Sequence, residues 1–96
     1  METMHLKLLH LYYFKTLVEN EYLKESADLL NISAPALSAI ISNFEKELGM
    51  PLFDRVGRHN KLNKNGELVY NHTCSIIEEI NKMRAELDSL KKRNHR

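Results

Sequence analysis

The stretch from Ser33 to Phe44, SAPALSAIISNF, admits little besides a short helix that begins at a defined residue. Ser33 has the hydroxyl an N-cap needs to accept a bond from an orphan amide one turn in, and Pro35 is tolerated only in such a first turn. The helix is therefore expected to begin near Ala34. At about 100° per residue, Leu37, Ile41, Phe44 and Leu48 fall on one stripe, while Pro35, Ser38, Ala39 and Ser42 cluster on the opposite side. The first set reads as core and the second as a presented face. Gly49 supplies a left-handed residue to end the helix, and Pro51 keeps it from resuming.

A second short helix precedes this one. Asn20 and Glu21 break the upstream pattern; Leu23, Ala27 and Leu30 then make an amphipathic segment, and Asn31, Ile32 and Ser33 form a turn. The spacing from Ala27 through Ile32 to Leu37 and Ile41 places apolar residues where two crossed helices lock together, which is a helix-turn-helix with its second helix toward DNA. The presented face is unusual for a DNA reader. From Ser33 to Phe44 there is no charged residue and one carboxamide, Asn43. Such a face either lets the helix backbone approach the major groove closely, reading through hydroxyls, methyl contacts and N-terminal amides, or serves as an ordinary protein contact. The face alone leaves both open.

Residues from about His5 to Asn20 carry Leu6, Leu9, Tyr13 and Leu17 at helical spacing, with Leu11, Phe14 and Val18 widening the apolar face, so this helix is expected to be sandwiched between neighbours. Tyr12 and Tyr13 read as packing residues rather than base-stacking platforms. With 96 residues there is room for one domain, and 43% apolar content suffices for a core. Net charge is +1, so any electrostatic role depends on where the charges sit. Cys74 is the single cysteine, which excludes an intrachain disulfide framework and fits a reducing cytoplasm. The N-terminal apolar run is broken by Lys7 and His10, which argues against a signal peptide or a membrane span.

After Pro51 the texture changes. Leu52, Phe53 and Val56 on one side and Lys61 and Leu62 on the other flank Gly57 to Asn60, as in two short strands joined by a turn, or a less regular loop. We read it as a wing. Arg55, Arg58, Lys61 and Lys64 lie between Asp54 and Glu67 with no intervening acid, and after a helix-turn-helix such a run lies where phosphates would be. Asn63 caps a final helix with Gly66 and Glu67 in its first turn. Val69, Thr73, Ile76, Ile80, Met83, Leu87 and Leu90 then recur at steps of four and three, a seam that indicates pairing with another helix, most simply that of a second protomer. A helix lying along its own domain accounts for Val69 to Ile76 but hardly for Leu87 and Leu90. No His or Cys pair has metal-ligand spacing, no cofactor is implied, and no phosphate loop or nucleophile-base set points to an enzyme.

From about Leu6 to Leu90 the chain resembles the N-terminal DNA-binding domain of LysR-type transcriptional regulators. The likeness rests on Phe14, on Ala27-x-x-Leu30, on Ser33-x-Pro35-Ala36-Leu37-Ser38, and on Ile41-x-x-Phe44-Glu45 with Glu47-Leu48-Gly49. It continues through Pro51-Leu52-Phe53-x-Arg55, Gly57-Arg58 and Gly66. The resemblance implies a mainly α fold: a winged helix-turn-helix of three helices and a short two-stranded wing over residues 1–63, then a linker helix for dimerisation over 64–96. It implies double-stranded DNA as partner, with recognition helix 34–47 in the major groove and wing 54–62 on the backbone or minor groove. Ser33, Ala34, Pro35, Ser38, Ala39 and Ser42 then occupy groove-facing positions, and Arg55, Arg58 and Lys61 positions near the backbone or minor groove. For Arg55 an ion pair with Glu45 is the structural alternative.

The departures bear on reading. Ala34 stands where the family usually has Gln, Ala39 and Ile40 where it often has Arg and Gln, Tyr22-Leu23 where it has Ser-Phe, and Leu62-Asn63 where it has Leu-Thr. Loss of bidentate side chains lowers direct readout by roughly 1–3 kcal/mol per pair, shifting specificity toward wing contacts and DNA deformability. Family members continue into an effector-binding domain that senses a small molecule. None of it is in this sequence, and the basic ending fits a chain cut after the linker helix. The competing reading is a dimerisation or interaction protein on a winged-helix scaffold with little specific DNA reading.

Overall fold

The computed structural model describes residues 6–57 and 59–94. Three helices come first: α1 (Leu8–Asn20), α2 (Leu23–Leu30) and α3 (Ala34–Leu48). A two-stranded wing follows, β1 (Phe53–Val56) and β2 (His59–Leu62), and then the long helix α4 (Lys64–Asn94). This is the winged helix-turn-helix with a trailing helix that the sequence predicts.

Local chemistry sets the boundaries. Ser33 Oγ accepts from the Ala36 amide at 3.1 Å, and α3 starts at Ala34 as expected. At its other end Gly49 sits at φ +81° and donates to the Glu45 and Lys46 carbonyls, while the Met50 amide also reaches Glu45, satisfying the last carbonyls of the helix. Two other helices end on residues that pay a steric cost for φ > 0, Glu21 at 70° and Asn31 at 59°. At Asn31 a short polar side chain tolerates the turn, and the Ile32 amide bonds back to the Ala27 carbonyl, so the chain reverses into α3.

The core forms where α1 crosses the helix-turn-helix. Leu11, Phe14 and Leu17 from α1 meet Ala27, Leu37, Ile41, Phe44 and Leu52. Phe14 is its centre, with its ring 5.4 Å from that of Phe44 and edge-on to Phe53 at 5.8 Å, both favourable aromatic geometries. The outer part of α1 is less enclosed than its sequence suggests, since Leu8, Leu9 and Tyr12 are all more than half exposed.

In the wing, Phe53 pairs with Leu62, Asp54 with Lys61, Arg55 with Asn60 and Val56 with His59. His59 and Asn60 therefore belong to β2, and the turn is shorter than the four residues that the sequence suggests. Gly57, at φ +62°, provides the left-handed step, and the ring of Tyr22 stacks on His59 at 5.8 Å.

The start of α4 is part of the head. Thr73 is fully buried, Val69 and Tyr70 pack against the core, and Tyr70 Oη donates to Glu19 Oε2 at 2.7 Å. Lys15 Nζ reaches the same carboxylate at 2.8 Å. These two bonds, Lys15 foremost and Tyr70 second, hold the Glu19 carboxyl below the usual carboxylate range, and the Glu19 bond raises the Tyr70 hydroxyl well above its ordinary value. No helix among the described residues is long and apolar enough to cross a membrane.

Candidate nucleic-acid interface

The exposed side of α3 carries the residues that periodicity assigns to it. Pro35, Ser38, Ala39 and Ser42 are all exposed, as is Asn43, while Leu37, Ile41 and Phe44 are buried below them. Ala34 departs from its assignment as a groove-facing residue. It is half-buried and packs against the core cluster. Ser33 is exposed, and its hydroxyl is occupied by the N-cap bond. That leaves a smooth strip of two hydroxyls, one methyl and a pyrrolidine ring, narrow enough for the backbone to approach a groove floor.

Beside this strip lies the wing. Ser38, Ser42 and Glu45 of α3 and Arg55 and Asn60 of the wing line one open cleft of about 170 Å³. The structure thus brings together three of the predicted residues, Ser38, Ser42 and Arg55, on opposite walls of one concavity. Arg55 is exposed, and among the described residues it has no ion pair. Glu45 is engaged elsewhere: its Oε2 accepts from the Leu52 amide at 2.7 Å. The guanidinium is therefore available to a phosphate, with its five donors and fixed charge. Lys61 is exposed too and faces Asp54 across the strands. Arg58 lies outside the described residues.

Asn60 is a residue of this cleft that the sequence did not disclose. It stands opposite Arg55 in the ladder and shares its face, offering a carboxamide with both donor and acceptor groups. The β register would have found it, had β2 been expected to begin at His59.

The seam on α4 divides in two. The head takes up this end of the seam: Val69 is half-buried against the core, and Thr73 has no exposed surface to offer a second helix, which corrects its assignment to pairing. Beyond them Ile76, Met83, Leu87 and Leu90 are 40%, 55%, 49% and 50% exposed. Ile80, Met83, Leu87 and Leu90 form an apolar stripe along one face of α4, flanked by Glu79 and Glu86. Among the described residues no group of three potential metal ligands comes together.

Comparison with known proteins agrees with this geometry. Residues 8–67 match the family described as "Bacterial regulatory helix-turn-helix protein, lysR family". Over 80 residues, 83% of this chain and 27% of the relative, the chain is 37% identical to the uncharacterized HTH-type transcriptional regulator YybE of Bacillus subtilis. It is 35% identical over 78 residues to the HTH-type transcriptional regulator BenM of Acinetobacter baylyi, covering 81% of this chain and 26% of that protein. The chain thus spans about a quarter of the length of these curated relatives. The crystal structure of a BenM_DBD complex with catB site 1 DNA superposes with a TM-score of 0.86 at 31% identity, covering 94% of this chain and 97% of that one.

Proposed function

The chain belongs to the lysR family of bacterial regulatory helix-turn-helix proteins, and from that premise we propose that it is the DNA-binding module of a dimeric transcriptional regulator. Residues 1–63 form the reading head and residues 64–96 the pairing helix, whose first turns also close the head's core. The partner is double-stranded DNA in the cytoplasm. Helix 34–47 enters the major groove with Pro35, Ser38, Ala39 and Ser42, and the wing, 54–62, rests on the backbone or minor groove through Arg55, Lys61 and Arg58. One observation supports this above the others: Ser38 and Ser42 of the neutral strip of α3 line one cleft with Arg55 of the wing, so a duplex seated on one meets the other.

The strip brings little charge of its own, so attraction to phosphate falls to the wing. The apolar stripe on α4 supplies the pairing. A side chain of this size stabilises by about 1.5–3 kcal/mol when it passes from full exposure to full burial, and Ile76, Ile80, Met83, Leu87 and Leu90 each start half-exposed or somewhat less. Two copies of the helix therefore gain several such half-burials. A small-molecule effector would act through a domain outside these 96 residues, as expected for a chain that matches a quarter of its longer relatives.

Substitution of the wing cations tests the assignment. Arg55→Ala and Lys61→Ala are expected to weaken binding of the wild type's preferred duplex and of scrambled DNA by similar factors. Each should lower the slope of log K against log salt by about one, measured by fluorescence anisotropy. Unchanged affinity and slope in both variants would remove the wing from the interface.

A further inference from the structure

The segment from Pro51 to Asp54 is bonded from two sides. Toward α3, the Leu52 amide donates to Glu45 Oε2 at 2.7 Å. Toward α4, the Leu52 carbonyl accepts from the Asn63 amide at 3.0 Å, and the Pro51 carbonyl accepts from the side-chain Nδ2 of both Asn63 and Asn65 at 3.1 Å. Asn63 does more than cap a helix. Its Oδ1 takes the Gly66 amide at 2.9 Å, which is the cap, while its Nδ2 also lies 3.3 Å from Asp54 Oδ1. Both ends of the carboxamide are in use: two donor hydrogens meet two acceptors, and the oxygen meets the helix. A hydroxyl at this position would keep the cap and could not also supply both donations.

These bonds connect three functional parts. Glu45 belongs to α3, Asp54 to β1, and Asn63 and Asn65 to the first turn of α4 and its cap. The peptide of Leu52, a fully buried residue, is where they converge. The bonds to Pro51 and Asp54 are exposed, so their value lies in direction rather than in large stabilisation.

We propose that Asn63 and Asn65 are positioning residues that set the angle between the recognition helix and the long helix. The packing of Val69, Tyr70 and Thr73 makes the reading face and the pairing seam one body, and the bonds to the shared Pro51 carbonyl set the direction in which that body is held, and so restrict the spacing of two half-sites that a dimer accepts. The restriction on spacing rests on the DNA-binding dimer proposed above; the rigid joint does not.

The full chain carrying N63T and N65A together keeps the cap and loses the donations to Pro51 and Asp54. Amide residual dipolar couplings from α1, α3 and α4 are expected to fit one alignment tensor in the wild type. In the variant the buried contacts of Val69, Tyr70 and Thr73 still hold α4 to the head, and the couplings should fit one tensor with α4 pointing in a different direction relative to α1 and α3. An unchanged direction of α4 in the variant would overturn the positioning role, whether or not the protein binds DNA. Should the double variant fail to fold, N65A alone leaves the cap intact and is expected to give a smaller change in the direction of α4, and no change there overturns the proposal equally.

The second readout uses duplexes selected from a random pool by the wild type. A two-half-site duplex should be preferred by about tenfold over the same site lengthened by one base pair, and the variant should lose most of that preference while its affinity for a single half-site is unchanged. A variant as selective for spacing as the wild type would refute the positioning role. If the wild type selects no paired site, the DNA-binding reading fails, and the couplings still decide the joint.

Discussion

Gly66→Ala sets helix propensity against packing. Gly66 is the third residue of α4, and alanine in a helix interior is favoured over glycine by about 1 kcal/mol, with less expected in a first turn. A Cβ at Gly66, however, would meet the Leu52 carbonyl oxygen and Leu62 Cδ1 well inside normal contact, with Leu62 Cγ at 3.0 Å. The leucine methyl can turn aside. The carbonyl belongs to the backbone at the convergence of the Glu45 and Asn63 bonds, so it moves only by disturbing them. Overpacking of this kind costs about 1–3 kcal/mol, and a lost backbone bond about 1 kcal/mol more. Packing therefore wins, and the net destabilisation is about 2 kcal/mol. For a domain of this size each kcal/mol shifts Tm by roughly 4–8 °C, so a fall of about 10 °C is expected in thermal unfolding followed by far-UV circular dichroism. Chain concentrations must be matched, since dimerisation adds to apparent stability. An alanine variant as stable as the wild type, or more so, would refute the close approach of α4 to Leu52.

Other expectations follow from the same structure. Thr73 Oγ1 is buried without a hydrogen-bond partner, so Thr73→Val should raise stability by about 1 kcal/mol in denaturant unfolding; a loss would mean that the hydroxyl is satisfied. Leu87→Asp or Ile80→Asp should convert a dimer to monomer by sedimentation while leaving the circular dichroism of the head intact, and a variant that sediments as the wild type does would exclude the apolar stripe of α4 as the pairing surface. The Glu19 carboxyl, held below its ordinary value of 4.5 by Lys15 and Tyr70, contributes to stability at pH values above the unfolded pKa. That contribution is lost as pH falls through the depressed folded pKa. The contribution is small because Glu19 is 43% exposed. Tyr70→Phe should move the Glu19 midpoint upward in an NMR titration, and an unmoved midpoint would show that the bond does not persist in solution.

The helix-turn-helix was legible because its signals are local. A serine cap, a proline in the first turn and a glycine at the end leave α3 few alternatives, and Ala27, Ile32 and Leu37 carry their partners in their spacing. What escaped the sequence was the identity of partners. Val69 and Thr73 keep the same step of four as Met83 and Leu87, and periodicity does not say whether the surface facing them belongs to the same chain or to another. Ala34 lies at the first helical position and is half-buried against the core, which its place in the motif does not disclose. Glu45 is an ion-pair candidate for Arg55 by sequence, yet its partner is the backbone amide of Leu52, a donor with no sequence signature. Asn60 entered the cleft only once the strand register was known. The Tyr22 and His59 stack joins residues that are 37 positions apart in sequence and carries no local sign.

The most direct test of the account is selection of bound duplexes from a random pool by the wild-type chain, with affinities for the selected and a scrambled duplex followed across salt. Two half-sites related by a two-fold axis should emerge, with a preference over scrambled DNA that persists as salt rises while both affinities fall. Weak binding that fades alike for every sequence and yields no motif would contradict the account: the neutral strip of Pro35, Ser38, Ala39 and Ser42 would then not be a reader of DNA.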